Sequence, residues 1–271
     1  MIGPPLTEEF MEDKGSKIHD LVRERYGTVA KKGTGCCSGE PCGESSESFS
    51  LAMGYTRQEI EAVPEGADLG LGCGAPLVRA SLESGMTVLD LGSGAGFDVF
   101  LAAREVGMTG RVMGVDMTPE MISKARNNAL KGDFRNVEFR LGEIEHLPVA
   151  DGSVDVVISN CVLNLSPDKR QVLSEVYRVL KPGGRIVISD VVRRVELTEE
   201  VRENPDLLAG CVSGAETIEY LEGTLGGEGF VEVRITPNEG SRSLISSWAP
   251  GSKVEDWVVS AIIEGKKPKK D

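Results

Sequence analysis

The residues whose types and spacing could do chemistry are the stretch TVLDLGSGAGFD at 87–98 and six cysteines, Cys36, Cys37, Cys42, Cys73, Cys161 and Cys211. Val88 to Leu91 is a short apolar run of strand type that breaks into Gly92, Gly94 and Gly96, and a helical pattern then carries Phe97, Phe100, Leu101 and Val106. Alternating glycines let the backbone turn tightly and let a ligand approach with no Cβ in the way, while the new helix offers unpaired N–H groups. A dinucleotide fingerprint GxGxxG would place its third glycine at 97, where this chain has Phe97; it has instead an acid, Asp90, two residues before the first glycine. The cysteines are spread over a chain too large to need disulfide staples, which favours ligand or redox chemistry. Cys73 lies in GLGCGAP, a stretch of glycines and a proline that reads as a tight, exposed turn and a poor place for a cysteine that only packs.

The elements that must position these residues follow from periodicity. Between about 85 and 192 strands alternate with helices, the pattern of a parallel sheet covered on both faces. Strands are expected at Val88–Leu91, Arg111–Asp116, Val137–Leu141, Val154–Ser159 and Arg185–Val191. Thr118 as cap and Pro119 at the first helical position open PEMISKARNNALK, which Gly132 closes; Ser166 and Pro167 open a helix with Val172, Leu173, Val176 and Leu180 on one face. Residues 8–31 read as an amphipathic helix with Phe10, Ile18, Leu21, Val22 and Val29 as apolar positions. Residues 33–50 read as a Gly/Ser-rich loop, and TRQE from Thr56 matches a capping box. Beyond Arg193 the pattern predicts helices at 199–210 and 215–226, a strand at Val231–Ile235 and an apolar run at Val258–Ile263; these pieces either extend the sheet or form a separate small layer.

An acid at a strand end followed by GxGxG resembles motif I of class I S-adenosylmethionine-dependent methyltransferases, whose loop holds the amino-acid end of the cofactor. In a doubly wound sheet a ligand sits beyond the carboxyl ends of the strands, beside strand one. The cofactor candidates are therefore Asp90, Gly92, Ser93 and Gly94 on the first loop. Asp116, closing strand two, is placed to accept both ribose hydroxyls, and Met117 to lie against an adenine face. Gly142, Glu143 and Ile144 follow strand three, where the resemblance places the adenine edge, and Asn160 with Cys161 follows strand four next to the methionine end.

SNCVLNLSPDK at 159–169, GLGCGAP at 70–76, AGCVSGA at 209–215 and the adjacent Cys36 and Cys37 together resemble arsenite S-adenosylmethionine methyltransferases, particularly bacterial and archaeal members, over nearly the whole chain. Trivalent arsenic is soft, and thiolates bind such ions in preference to oxygen. Three thiolates leave its lone pair pointing out of a pyramid, free to attack a sulfonium methyl group. The resemblance implies that Cys73, Cys161 and Cys211 hold arsenic(III), and that Cys36 or Cys37, entered here as Cys37, exchanges disulfides with Cys73. It assigns no role to Cys42. It also implies a thiol reductant, glutathione or thioredoxin, to return the two electrons each transfer costs, with arsenite or its thiol complexes as substrate. Eukaryotic members carry an aromatic residue two positions before the cysteine of the GCG turn, where this chain has Leu71, which leaves the lid contacts open but not the ligand set. The organisation expected is an N-terminal helical and cysteine-bearing region (1–84), a Rossmann-like α/β cofactor domain (85–192) and a small C-terminal arsenic-binding region (193–271).

Composition bounds the alternatives. Lys+Arg 30 against Asp+Glu 43 gives a net charge of −13 over 271 residues, which speaks against nucleic acid and anionic membrane surfaces as partners. No apolar run approaches the ~18 residues a bilayer span needs, and MIGPPLTEEFMED lacks the basic start and apolar core of a signal peptide, so a cytoplasmic protein is expected. A methyltransferase acting on a small organic acceptor would usually need a general base, and the two histidines, His19 and His146, read as solvated or structural. A cysteine-based metalloid or zinc sensor would favour Cys-x-x-Cys pairs and a basic DNA-reading element, neither of which this chain has.

Overall fold

The apolar runs become a single twisted sheet whose two faces are both buried. The computed structural model describes residues 8–32, 46–248 and 251–269. Its strands are β1 (Thr87–Leu91), β2 (Arg111–Asp116), β3 (Val137–Leu141), β4 (Val154–Asn160), β5 (Leu180–Arg193), β6 (Val231–Pro237) and β7 (Val258–Lys266), in the order β3-β2-β1-β4-β5-β7-β6. Strands β1 to β5 run parallel, and β7 pairs antiparallel with both β5 and β6. The strand order reverses between β1 and β4, which puts the switch point beside the glycine loop.

The helices are α1 (Glu8–Lys32), α2 (Ser46–Met53), α3 (Arg57–Glu61), α4 (Leu77–Ala80), α5 (Phe97–Val106), α6 (Pro119–Lys131), α7 (Lys169–Val179), α8 (Glu199–Arg202), α9 (Pro205–Ala209), α10 (Ile218–Gly227) and α11 (Arg242–Trp248). Because side chains alternate along a strand, Val88 and Leu89 serve different cores. Val88, Val112, Val156 and Ile158 pack on Val99, Phe100 and Ala103 of α5 and Ile122 and Ala125 of α6. Leu89, Leu91, Val115 and Val157 pack on Val172, Leu173 and Val176 of α7 and Leu221 and Leu225 of α10. Truncating one of these fully buried leucines to alanine costs about 2–5 kcal/mol in such a core.

Of the two arrangements open for the C-terminal pieces, sheet extension is the one observed: β7 runs alongside β5 from Arg193↔Val258 to Arg185↔Lys266, and β6 closes the edge. The Thr56 capping box forms as expected, with the Thr56 hydroxyl accepting the Glu59 N–H and the Glu59 carboxylate accepting the Thr56 N–H.

Several local expectations are corrected. Residues 46–53 wind into α2, so the end of the stretch read as a loop over 33–50 is helical. Thr118 makes no side-chain cap; Asp116 takes the Thr118 N–H instead. α7 starts at Lys169, capped by Asp168 on the Gln171 N–H, because 163–165 forms a 3-10 turn ahead of it. The helix expected over 199–210 breaks at Asn204, whose side chain caps a new start at Pro205. Cys36, Cys37 and Cys42 lie outside the described residues, as does the side chain of Phe10. No helix among the described residues is long and apolar enough to cross a membrane.

Candidate methyl-transfer and thiol site

Every cofactor candidate named from the sequence lies at the carboxyl end of a strand. The Gly92 and Ser93 N–H groups bond to the Val115 carbonyl, which folds the loop back over β2. Asp116 clamps it there: Oδ2 accepts the Gly94 N–H at 2.9 Å and Oδ1 the Thr118 N–H at 2.8 Å. Gly94 sits at φ +51, and a Cβ there would meet nothing closer than the Met121 sulfur at 4.0 Å, so the backbone faces open space. The Ser93 hydroxyl is buried and has no hydrogen-bond partner. Three carboxylates converge under the loop: Asp90, Asp98 and Asp116, with 3%, 7% and 9% of their surface exposed. None of them forms an ion pair among the described residues. Burial pushes the Asp90 carboxyl well above the usual carboxylate range, and the charges of Asp98 and Asp116 add to this. Burial raises Asp116 too, and raises Asp98 to about 6 against the opposing hydrogen bonds from Tyr55 and Asn160. Buried carboxyls with no ion-pair partner among the described residues, an orphaned hydroxyl and an open glycine cradle fit a ligand that brings an ammonium and a sulfonium charge, which would draw these carboxyls into their ionised form.

After β3, where the sequence reading placed the adenine edge, Ile144 is buried in the core and the Gly142 N–H bonds to the Asp116 carbonyl. The Glu143 carboxylate is already engaged by Arg23 and lies 3.6 Å from His19 Nδ1, while His19 Nε2 lies 3.2 Å from Glu145 Oε1. Glu145 also accepts from the Ser166 hydroxyl. The Glu145 hydrogen bond raises the His19 pKa against the effect of burial. Helix α1 is thereby pinned across the strand ends. Its Val22, Ile18 and Tyr26 pack with Met117, Cys161 and Cys211, and its Val29 and Ala30 with Ala95, Met121 and Leu71. Leu71 therefore packs at the junction of α1 with the glycine loop. His146 is exposed.

The three cysteines meet beside the same loop. Cys73 and Cys161 are joined in a disulfide with Cα atoms 5.9 Å apart across 88 residues of sequence, and the Cys211 thiol donates to the Cys161 carbonyl at 3.0 Å. Contrary to the sequence expectation, the GLGCGAP turn is not exposed: Cys73 shows 1% of its surface, and Ala75 is buried as well; Cys211, outside the turn, is also buried. The turn is buried because side chains from two strands, β4 and β7, satisfy its backbone. Asn160 accepts the Cys73 N–H at 3.0 Å, and Ser260 donates to the Cys73 carbonyl at 2.7 Å. The Ser189 hydroxyl lies 3.7 Å from Cys73 Sγ. Cys161 and Cys211 both hold left-handed backbone conformations, φ 54 and φ 62. For a residue with a Cβ this costs on the order of 1–3 kcal/mol, a strain that concentrates at functional sites.

A carboxylate oxygen of Asp190 lies within 4.8 Å of both disulfide sulfurs; Cys73 and Asp190 are buried and Cys161 is half-buried. Asp190 is oriented by the Asn164 side chain at 2.8 Å, the Asn164 N–H at 3.2 Å and the Val191 N–H at 2.8 Å, while burial raises it to about 6. Lys169, buried at the start of α7, supplies the nearby positive charge. Burial lowers its pKa, and the negative charges of Glu216 and Asp190 work the other way.

Residues 82–241 match a family model described as a methyltransferase domain. The arsenite methyltransferase of Halobacterium salinarum is 52% identical over 276 residues, covering 98% of this chain and 71% of that protein. The chain belongs to the arsenite methyltransferase family. Within that family the arsenite methyltransferase of Aquipseudomonas alcaligenes is 39% identical over 82% of this chain and 64% of its own length. The crystal structure of an arsenic(III) S-adenosylmethionine methyltransferase from Chlamydomonas reinhardtii superposes with TM-score 0.59 at 33% identity, covering 82% of this chain and 73% of that one. A phosphoethanolamine N-methyltransferase from Haemonchus contortus, solved with S-adenosyl-L-methionine, matches with TM-score 0.62 at 22% identity over 84% of this chain and 61% of its own, a likeness of fold alone.

For this member of the arsenite methyltransferase family, sequence reasoning missed Tyr55, Asp98, Lys169 and Asp190. Asp190 had a signal, a lone acid inside the apolar strand IVISDVV. Asp98 had one as well, closing the glycine stretch. Tyr55 and Lys169 had none, since an aromatic after a glycine and a lysine at a helix start are ordinary.

Proposed function

We propose that the protein transfers methyl groups from S-adenosylmethionine to trivalent arsenic held by cysteine thiolates, turning arsenite into methylarsenicals in arsenic detoxification. The observation that carries this reading is the meeting of Cys73, Cys161 and Cys211, from three distant parts of the chain, beside the anionic cofactor loop. Asp90, Ser93, Gly94, Asp98 and Asp116 would hold the cofactor, with Asp116 toward the ribose and the loop after β3 toward the adenine. When bound, S-adenosylmethionine supplies an electrophilic sulfonium methyl group.

The chain's own residues do the rest. Cys73, Cys161 and Cys211 bind arsenic as thiolates, a task that calls for deprotonation from an ordinary pKa near ~8.5. Lys169 favours the anionic form of a neighbouring thiol, as a buried cation does. The arsenic lone pair becomes the new As–C bond, which raises arsenic from the trivalent to the pentavalent state. Two thiolates that close a disulfide return two electrons and restore it. Cys73 and Cys161 are one such pair, and a thiolate of glutathione or thioredoxin in a reducing cytoplasm would reopen it by exchange. Arsenite can bind all three sulfurs only after that reduction. Because the arsenic lone pair carries no proton, no general base is needed, in keeping with His19 tied to Glu145.

The test is incubation with arsenite, a thiol reductant and methyl-labelled S-adenosylmethionine, followed by separation of arsenic species. Label should appear in methylarsenicals. Label transferred to an organic acceptor, with none in arsenic, would refute the reading.

A further inference from the structure

A buried hydrogen-bonded bridge joins the cofactor loop to the Cys73 turn, and neither cofactor holding nor arsenic binding explains its centre. Tyr55, between α2 and α3, is buried with its ring edge-on to Phe97 at 4.8 Å. Its hydroxyl donates to Asp98 Oδ1 at 2.7 Å and accepts from Asn160 Nδ2 at 3.0 Å. Asn160 then grips both flanks of the cysteine: Nδ2 donates to the Gly74 carbonyl at 2.7 Å and Oδ1 accepts the Cys73 N–H at 3.0 Å. The next residue in the chain is Cys161, the partner sulfur.

The amide's orientation is decided by its partners. Both Nδ2 hydrogens are used, one on Gly74 and one on Tyr55, and only an oxygen can face the Cys73 N–H. The fit is close: at Gly72, φ +132, a Cβ would stand 2.7 Å from Asn160 Oδ1. Asp98 Oδ2 already lies 3.5 Å from Asn160 Nδ2. Bonds to a carboxylate are stronger than bonds to a neutral hydroxyl. Without the Tyr55 hydroxyl, which satisfies Asp98 and occupies the Nδ2 hydrogen, the amide has reason to swing onto Asp98 and leave the Cys73 turn.

We propose that Tyr55 is a positioning residue for Cys73, which by locking the Asn160 amide between Asp98 and the Cys73 turn sets one sulfur of the thiol site against Cys161. The consequence for catalysis rests on the arsenic reading above, but the consequence for the disulfide does not. Inorganic arsenite calls on three sulfurs, whereas trivalent methylarsenic already carries a carbon and calls on two. A misplaced Cys73 should therefore slow the first acceptor selectively.

Tyr55→Phe keeps the ring and its packing on Phe97 and removes only the hydroxyl. The variant should methylate arsenite about fivefold more slowly at saturating cofactor, while turnover of trivalent methylarsenic at saturating cofactor stays within about twofold. Equilibrated in glutathione redox buffers and read by thiol alkylation and mass spectrometry, its Cys73–Cys161 pair should move toward the dithiol by about fivefold in the exchange constant. That redox equilibrium needs no arsenic chemistry, so it tests Tyr55 even if wild type methylates neither arsenic species. Equal loss on both acceptors, or an unchanged redox equilibrium, overturns the proposal. If the phenylalanine variant does not fold, Tyr55→Met, which fills much of the ring's volume and carries no hydroxyl, takes its place in the same redox measurement, and a constant equal to wild type again overturns it.

Discussion

Replacing Asp116 by asparagine is the sharpest test of the cofactor half of the site. The carboxylate accepts two backbone N–H groups, Gly94 at 2.9 Å and Thr118 at 2.8 Å, and it is the acceptor proposed for the ribose hydroxyls. Asparagine retains one oxygen and turns an NH2 group toward the other N–H, so one charge-assisted bond is lost and a donor faces a donor. A hydrogen bond to a charged group is worth about 1.5–3 kcal/mol. Burial raises the Asp116 pKa, so the neutral amide recovers part of the desolvation cost. The net loss of stability is then about 1–2 kcal/mol, or roughly 2–8 °C in Tm for a chain of this size. Cofactor binding loses the charged acceptor separately, on the order of 10- to 150-fold in Kd. Isothermal titration of the reduced protein with S-adenosylmethionine, alongside thermal unfolding, separates the two. A Kd within twofold of wild type would falsify the assignment, whatever happens to Tm.

Cys161→Ser or Cys211→Ser should abolish methylation of both arsenite and trivalent methylarsenic, because a hydroxyl is a hard, weakly acidic substitute for a thiolate. Cys73→Ser should lose arsenite alone, and the double change of Cys36 and Cys37 to serine should give the same split provided their segment serves the redox step by exchanging disulfides with Cys73; chromatography of arsenic species decides, and wild-type rates in Cys161→Ser would remove the proposed site. A pH effect follows from Asp98, whose pKa burial raises from 3.8 to about 6. In the cofactor-free protein this stabilises the fold below 3.8 and the contribution is lost as pH rises through about 6. Binding of a cationic cofactor should run the opposite way, about tenfold weaker at pH ~5 than at ~7, with a shallower slope for S-adenosylhomocysteine, which lacks the sulfonium charge; titrations giving one Kd across this range would contradict the anionic pocket.

Much of the site was legible because its residues occupy places the backbone itself dictates. Asp90, the glycine loop, Asp116, Gly142 to Ile144 and Asn160 all end parallel strands, and period-two apolar runs separated by helical patterns are enough to order such strands and align their carboxyl ends. The cysteine set was legible through resemblance, from short motifs around Cys73, Cys161 and Cys211. What only the tertiary structure decided are contacts between segments far apart in sequence, which no local pattern encodes. Burial of the GLGCGAP turn depends on Asn160 and Ser260, which lie 87 and 187 residues from Cys73. The placement of β7 beside β5, with β6 at the edge, depends on which sheet edge was left open after β5, a competition among pairings that periodicity does not resolve. The same holds for the charges: Lys169, Asp190 and Asp98 are ordinary polar residues in the sequence, and their shifted proton affinities arise from burial, which is a property of the folded whole.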